Sequence, residues 1–419
     1  MKKILLAAVA LLFTVGATAQ DINIKLRTAP VASRMSVTTP PLKNLRVDGN
    51  ARMSVDGQIA KPMAKAVKRA AAPEGEQREY LVNTKDFVSG LTNKYQTYFP
   101  RLYSLTFVFA PDGKTVYFNN PLLASYFTEI VWLKGELSSD GTQLTVQPNQ
   151  YIGKLEFTDG SSVDCYLGSA DASGRFDLTT PIVFDIMPEI GLISSEDATM
   201  CLMGVQDGQP VGAYTYEVGY EMLPMDSETL FNAPVTRKYT ATEIFSEAPV
   251  ESTIEDLYSP MLKMHFIKGI MPEYPEGWTI AEPQDNGDLV LHGGYVVADD
   301  IISYLSTTGG DPDFSVTSTL TYGADGSYTQ VSGEMLLDYF SGYDAQGNPG
   351  YGSSVVYTGI TLGAPGTSDI SNVETGKGEP VATEYYDLSG RRVDSAAKGV
   401  TIRVEKYADG TSKAVKTIK

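Results

Sequence analysis

Residues 105–120 read LTFVFAPDGKTVYFNN. Apolar and polar side chains alternate on both sides of Asp112-Gly113, which predicts two antiparallel strands joined by a tight turn. The pattern recurs outward along the chain. QLTVQ (Gln143–Gln147), KLEF (Lys154–Phe157) and SVTSTLTY (Ser315–Tyr322) alternate in the same way. Asp-Gly or Asn-Gly turns begin at Asp112, Asp140, Asp159, Asp207, Asn286 and Asp325. Consecutive strands are usually neighbours. The body therefore reads as all-β: antiparallel meanders in the form of a sandwich or flattened barrel.

The meander repeats. Arg78-x-Tyr80 after Ala72-Pro73 recurs as Arg237-x-Tyr239 after Ala233-Pro234. VYFNNPLLASYFTEIVW ends at Trp132, and MHFIKGIMPEYPEGW ends at Trp278. These are the only two tryptophans, and on this alignment His265 falls opposite Tyr117. Gln150-Tyr151-Ile152-Gly153 corresponds to Gly294-Tyr295-Val296-Val297. Matches in one shared order predict two tandem β domains, at residues 73–224 and 225–365. Each is long enough to bury a core.

The flanks differ in character. Lys2 and Lys3, the apolar run Ile4–Val15 and Ala17-Thr18-Ala19 match a secretory signal peptide over residues 1–19. No later run is apolar for long enough to span a bilayer, so no transmembrane segment is expected in the mature chain. Residues 20–72 hold 10 Lys/Arg against 3 Asp/Glu and lack periodicity, which predicts a basic, largely disordered leader. Residues 73–419 hold 21 Lys/Arg against 48 Asp/Glu. A body this acidic repels phosphate, so nucleic acid is excluded as a partner.

Little in the sequence carries chemistry. His265 and His292 are the only histidines, and neither sits in a recognisable nucleophile frame. No G-x-S-x-G elbow, H-E-x-x-H helix or P-loop occurs. No catalytic residue, cofactor or metal site is expected, and Asp299-Asp300 and Asp311-x-Asp313 read as solvated loop carboxylates. Trp132, Trp278, Tyr151 and Tyr295 are candidates for an exposed platform that stacks on sugar rings, against the plainer reading of core packing. Cys165 and Cys201, the only cysteines, are candidates for a single disulfide.

Residues 366–380 form a polar linker, and residues 381–419 read as a small β module. In the module YYDLSGRRV precedes KGVTIRV, and Asp409-Gly410 marks a hairpin turn. Asp387, Gly390 and Arg391 match a D-x-x-G-R turn, Gly399 lies in a K-G-x-x-I run, and Lys416 and Lys419 lie in a basic terminus. These residues resemble the C-terminal sorting domain of type IX (Por) secretion cargo in Bacteroidota, although Thr401 stands where that family usually has an aromatic. The run from Val116 to Gly153 is similar to a domain of unassigned function in secreted proteins of those bacteria. The resemblance implies export through the inner membrane by the signal peptide, then sorting to the cell surface or medium by machinery that binds the module. The function expected is non-catalytic binding or structure, with a glycan or protein partner. The alternative is a carbohydrate-active hydrolase using two carboxylates.

Overall fold

A computed structural model describes residues 70–366, apart from 89–97, 158, 172–173, 245, 300, 308–311 and 344–348. It also describes strands at 53–55, 58–60, 68–69, 382–386, 392–393, 400–406 and 412–418. The chain divides into two compact units, residues 1–368 and 369–419.

The first repeat contributes β1 (Glu76–Asp86), β2 (Phe99–Phe109), β3 (Thr115–Asn119), β4 (Trp132–Leu137) and β5 (Gln143–Val146). It continues with β6 (Tyr151–Glu156), β7 (Ser162–Ala170), β8 (Ile182–Met187), β9 (Leu192–Gln206) and β10 (Gln209–Pro224). Strands β1 to β5 pair in order, β5 pairs β8, and β8, β9 and β10 pair in turn. Strand β10 then pairs β1, with Met222 opposite Val82. The eight strands thus close into an antiparallel barrel. The β6–β7 hairpin leaves the ring, and β7 returns to pair with β9. Tyr80, Phe107, Phe118, Leu133, Leu144, Phe184 and Tyr220 fill the interior.

The second repeat has the same connectivity. Its strands are β11 (Val235–Glu243), β12 (Ala248–Ser259), β13 (Met264–Lys268), β14 (Trp278–Pro283) and β15 (Leu289–His292). After them come β16 (Tyr295–Ala298), β17 (Ile301–Ser306), β18 (Thr317–Tyr322), β19 (Tyr328–Gln330), β20 (Met335–Tyr343) and β21 (Val356–Leu362). The ring runs β11 to β15, then β18, β19 and β21, and closes from β21 to β11. Here β16–β17 is the excursion, and β17 returns to β20.

The rings are closed, so the barrels meet largely through outward side chains, with a backbone bridge from Val296 of the β16–β17 excursion to Arg101 of β2. Leu257, Met264, Phe266, Trp278 and Ile280 from barrel 2 pack on Leu81, Leu102 and Leu223 from barrel 1. Trp278 is fully buried there, and its Nε1 donates to Ser104 Oγ at 3.2 Å. A second shared core joins Val88 and Phe99 to Val296, Tyr304 and Tyr339.

The register aligns Trp132 with Trp278, because each opens its strand opposite Asn119 or Lys268. Counting from that match, Lys134 replaces Ile280, Tyr117 replaces Phe266 and Thr115 replaces Met264. The matching face of barrel 1 is therefore polar, and Lys134 pairs with Glu136 at 3.0 Å in the open. His265 is displaced by one residue from the expected match with Tyr117. A slip of one flips the face, so His265 occupies the inward row of its strand and not the outward row of Tyr117.

Part of the leader is built into strands. Met53–Val55 pairs with Gln58–Ala60, and Lys68–Arg69 runs parallel to Glu129–Ile130. Ala70 N donates to Ile130 O, and Trp132 Nε1 donates to Ala70 O. At Lys68–Ala70 the exposed edge at 129–130 supplies backbone partners to the end of the leader.

In the second unit, four antiparallel strands run in the order 392–393, 382–386, 400–406 and 412–418. The hairpin flanking Asp409-Gly410 pairs Lys406 with Ser412 and Val400 with Ile418.

The inter-barrel core yields a stability difference between the two tryptophans. Trp278→Ala should cost about 3–5 kcal/mol, the usual range for a buried large aromatic. Trp132→Ala should cost clearly less, because Trp132 is only half-buried, with its Nε1 donating to Ala70 O of the leader. Urea midpoints of the two variants, read by circular dichroism, check this.

Candidate functional site

Two polar clusters sit inside the barrels. On β1, Tyr80 and Val82 face inward, and steps of two carry that face to Asp86. On β2 the same count runs from Leu105 through Tyr103 to Arg101. Arg101 Nη1 lies 2.8 Å from Glu217 Oε1 and 3.3 Å from Asp86 Oδ2. Its Nη2 lies 3.2 Å from Asp299 Oδ1, which comes from the β16–β17 turn of the second repeat. Tyr103 donates to Glu217 Oε2 at 2.9 Å, and Ser125 N donates to Asp299 Oδ2 at 3.0 Å. Three carboxylates thus surround one guanidinium. Burial pushes the Asp86 carboxyl well above its ordinary range and also raises Glu217, with Arg101 opposing both shifts.

In barrel 2, Asp256 accepts from Arg237 Nε at 2.8 Å and lies 2.7 Å from His265 Nδ1. Arg237 Nη1 also donates to the carbonyls of Gly326 and Gly363. Burial opposes ionisation of Asp256, but His265 and Arg237 outweigh it and hold the carboxyl below its ordinary value. Both oxygens of Glu217, Asp299 and Asp256, and Oδ2 of Asp86, have partners within the protein.

The four expected platform residues do not share a face. Trp278 and Tyr295 are buried between the barrels and can offer no ring to a ligand. Trp132 is half-buried under Ala70. Tyr151 is exposed, and its ring meets Tyr166 edge-on at 5.3 Å. The disulfide does not form: Cys165 and Cys201 are both free and buried. Cys165 pairs with Gly204, whereas Cys201 pairs with Gly168. The offset of three residues puts the two thiols on opposite sheet faces, and burial pushes each up to about 12. Of the sorting residues, Lys416 pairs with Ile402 in the terminal sheet, while Asp387, Gly390, Arg391, Gly399 and Lys419 lie outside the described residues.

Two outward features of barrel 1 remain. The first is a groove of about 290 Å³, lined by Ser169, Val183, Ser195, Asp197 and Thr199 among others. It opens where β9 changes partner. Residues Leu192–Ser194 pair with β8, and Cys201–Val205 pair with β7. The register against β10 jumps between Ser195 and Thr199. A bulge of this kind bends a strand and redirects its side chains. Gly219 supports the bend from β10: its φ is +66°, and a Cβ there would come within 3.3 Å of Glu196 O.

The second feature is a cluster of four rings. Phe87 stacks on Tyr216 at 4.6 Å, Phe176 lies 4.6 Å from Tyr216, and Tyr98 closes the group at 5.9 Å. The Tyr98 and Tyr216 hydroxyls are 3.1 Å apart, and Tyr98 is 39% exposed. Nearby, Gly168 leaves room for the Met203 and Cys201 side chains and for the backbone of the short strand that carries Phe176. A Cβ at Gly168 would lie 3.0 Å from Asp177 O and closer still to Cys201 Sγ. Ala170 connects the two features, since it lines the groove and pairs with Phe176.

No protein-family profile matches the sequence, and no curated protein does. Among solved structures the chain is similar to a mutant of the vaccine antigen transferrin binding protein B from Haemophilus parasuis Hp5. That similarity has 9% identity and a TM-score of 0.13 over 70% of this chain and 78% of that one. A score this low carries no inference about fold or ligand.

The Arg101 cluster generates two expectations. Arg101→Met should destabilise by about 3–5 kcal/mol, because it strands buried carboxylates without their cation. For pH, burial raises Asp86 and Glu217 in the folded state, so in the window between the unfolded and folded values the folded chain binds protons that the unfolded chain has already released. Their contribution to stability is therefore intact below about pH 4 and declines as pH rises toward the raised folded values. Urea midpoints measured from pH 5 to 8 should fall less steeply in Asp86→Asn than in the unaltered chain. Equal slopes would contradict the raised carboxyl.

Proposed function

We propose that this chain is an exported, non-catalytic binding protein, held at the cell surface or released outside the cell. The observation that carries this reading is the external groove, with its adjoining rings, on the outer wall of a closed barrel. The fused barrels act as a scaffold for that surface. A retaining or inverting hydrolase needs two carboxylates that flank space for a sugar and, in the inverting case, a water. The buried carboxyls Asp86 and Glu217 have the Arg101 guanidinium between them, in that space. Export rests on the signal-like residues 1–19 and on the resemblance of residues 381–419 to a sorting domain. The compact terminal sheet is in keeping with an independently recognised address.

Two measurements test this reading. Removing residues 381–419 should leave the circular dichroism of the body intact and retain the protein in the periplasm. Ordinary amounts at the surface or in the medium would refute the address. On a glycan and host-protein array, the mature chain should bind saturably and release no product. Turnover of any arrayed glycan would favour the hydrolase.

A further inference from the structure

The two barrels share the break that creates the groove, yet they treat it differently. In barrel 1 one long strand, β9, spans the break through the bulge at 195–199. In barrel 2 the corresponding path is cut into β19 and β20, with residues 331–334 between them. Gln330 fills that gap. Its Nε2 donates to Ser318 Oγ and to Glu334 O, both at 2.8 Å, and its Oε1 accepts from Ile360 N at 3.2 Å. One buried amide thus ties together three segments around the break. Barrel 1 has the short Ser195 beside its bulge, and the Ser195 hydroxyl accepts from Ala198 N at 3.2 Å, within the bulge itself. The break in barrel 1 stays open, and the opening measures about 290 Å³.

The lining of the opening is two-sided. Ser195 and Thr199 bring hydroxyls, and Asp197 brings an exposed carboxylate, while buried Ser169 donates its hydroxyl to Thr180 O at 2.5 Å and forms part of the floor. Pro181 and Val183 form an exposed apolar wall, with Val183 40% exposed. A pyranose has the complementary build, with hydroxyls around its edge and C–H groups on its faces. A carboxylate can accept from two vicinal hydroxyls at once, while apolar side chains cover the C–H face. The size suits one ring and not a nucleotide or an oligosaccharide. An anionic sugar would meet Asp197 on a chain whose formal charge is −18.

We propose that the groove at the β9 bulge binds a single neutral pyranose residue of a glycan. Asp197 holds vicinal hydroxyls, and Val183 packs against the ring face. This assignment rests on the binding-protein reading above and adds its ligand class and location.

The probes are the methyl pyranosides of glucose, galactose, mannose and N-acetylglucosamine, with methyl glucuronide as the anionic control. Each is titrated into the full mature chain by saturation-transfer NMR and calorimetry. At least one neutral pyranoside should bind saturably, and glucuronide should bind more weakly. Asp197→Asn should weaken binding at least tenfold, Val183→Asp should abolish it, and Tyr151→Ala should leave it unchanged. Unaltered urea midpoints in the two groove variants would show that folding is retained. Failure of every neutral pyranoside to bind, or equal affinity in Asp197→Asn and Val183→Asp, would overturn the groove assignment. In the second case the binding reading would stand with its ligand elsewhere. Conversion of any probe to product would instead overturn the non-catalytic reading itself.

Discussion

Each repeat pairs its last ring strand with its first, and the architecture of the body follows from that closure. A closed sheet offers no hydrogen-bonding edge, so neither ring can extend into the other. The barrels must instead join through side chains on their outer walls, or through strands that have left the ring. Both routes are used. Trp278, Phe266 and Ile280 supply the apolar wall. The β16–β17 excursion supplies a parallel bridge, Val296 to Arg101, and its turn delivers Asp299 to the same arginine. Arg101 is thereby held to the second repeat by backbone and side chain together.

Much of this architecture is local and was legible as such. Period-2 alternation and Asp-Gly turns placed the hairpins, because both signals act over a few residues. The repeat was legible in the order of its aromatics, and the register does align Trp132 with Trp278. Their environments were not legible. Whether a tryptophan is core or surface depends on what meets the outer wall, and that is decided by residues such as Lys134 and Ile280, which carry no repeat signal of their own. His265 shows the limit at finer scale. A match displaced by one residue still looks like a repeat, but it moves the side chain from the outer row to the inner one.

The polar sites were hidden for a different reason. Arg101 meets Glu217 across 116 positions and Asp299 across 198. No spacing rule connects such residues, since ring closure and the second repeat bring them together. Asp299 looked like an ordinary loop carboxylate because a turn is where it sits. The groove is equally non-local. It depends on β9 pairing first with β8 and then with β7, and a single strand read in isolation does not show that it changes partner. Ser195, Asp197 and Gly219 gave at most a break in alternation, and that signal was too short to set apart from an ordinary turn.

The two repeats have the same ring but divided roles. Burial of Trp278 and Ile280 uses the outer wall of barrel 2 as an interface, and Gln330 closes its break. Barrel 1 keeps the corresponding wall polar, with the Lys134–Glu136 pair in solvent, and keeps its break open. If both repeats had the apolar wall, barrel 1 would expose a second docking face, and a heterologous contact of that kind propagates when it does not close. The polar substitutions on β3 and β4 therefore end the array at two barrels.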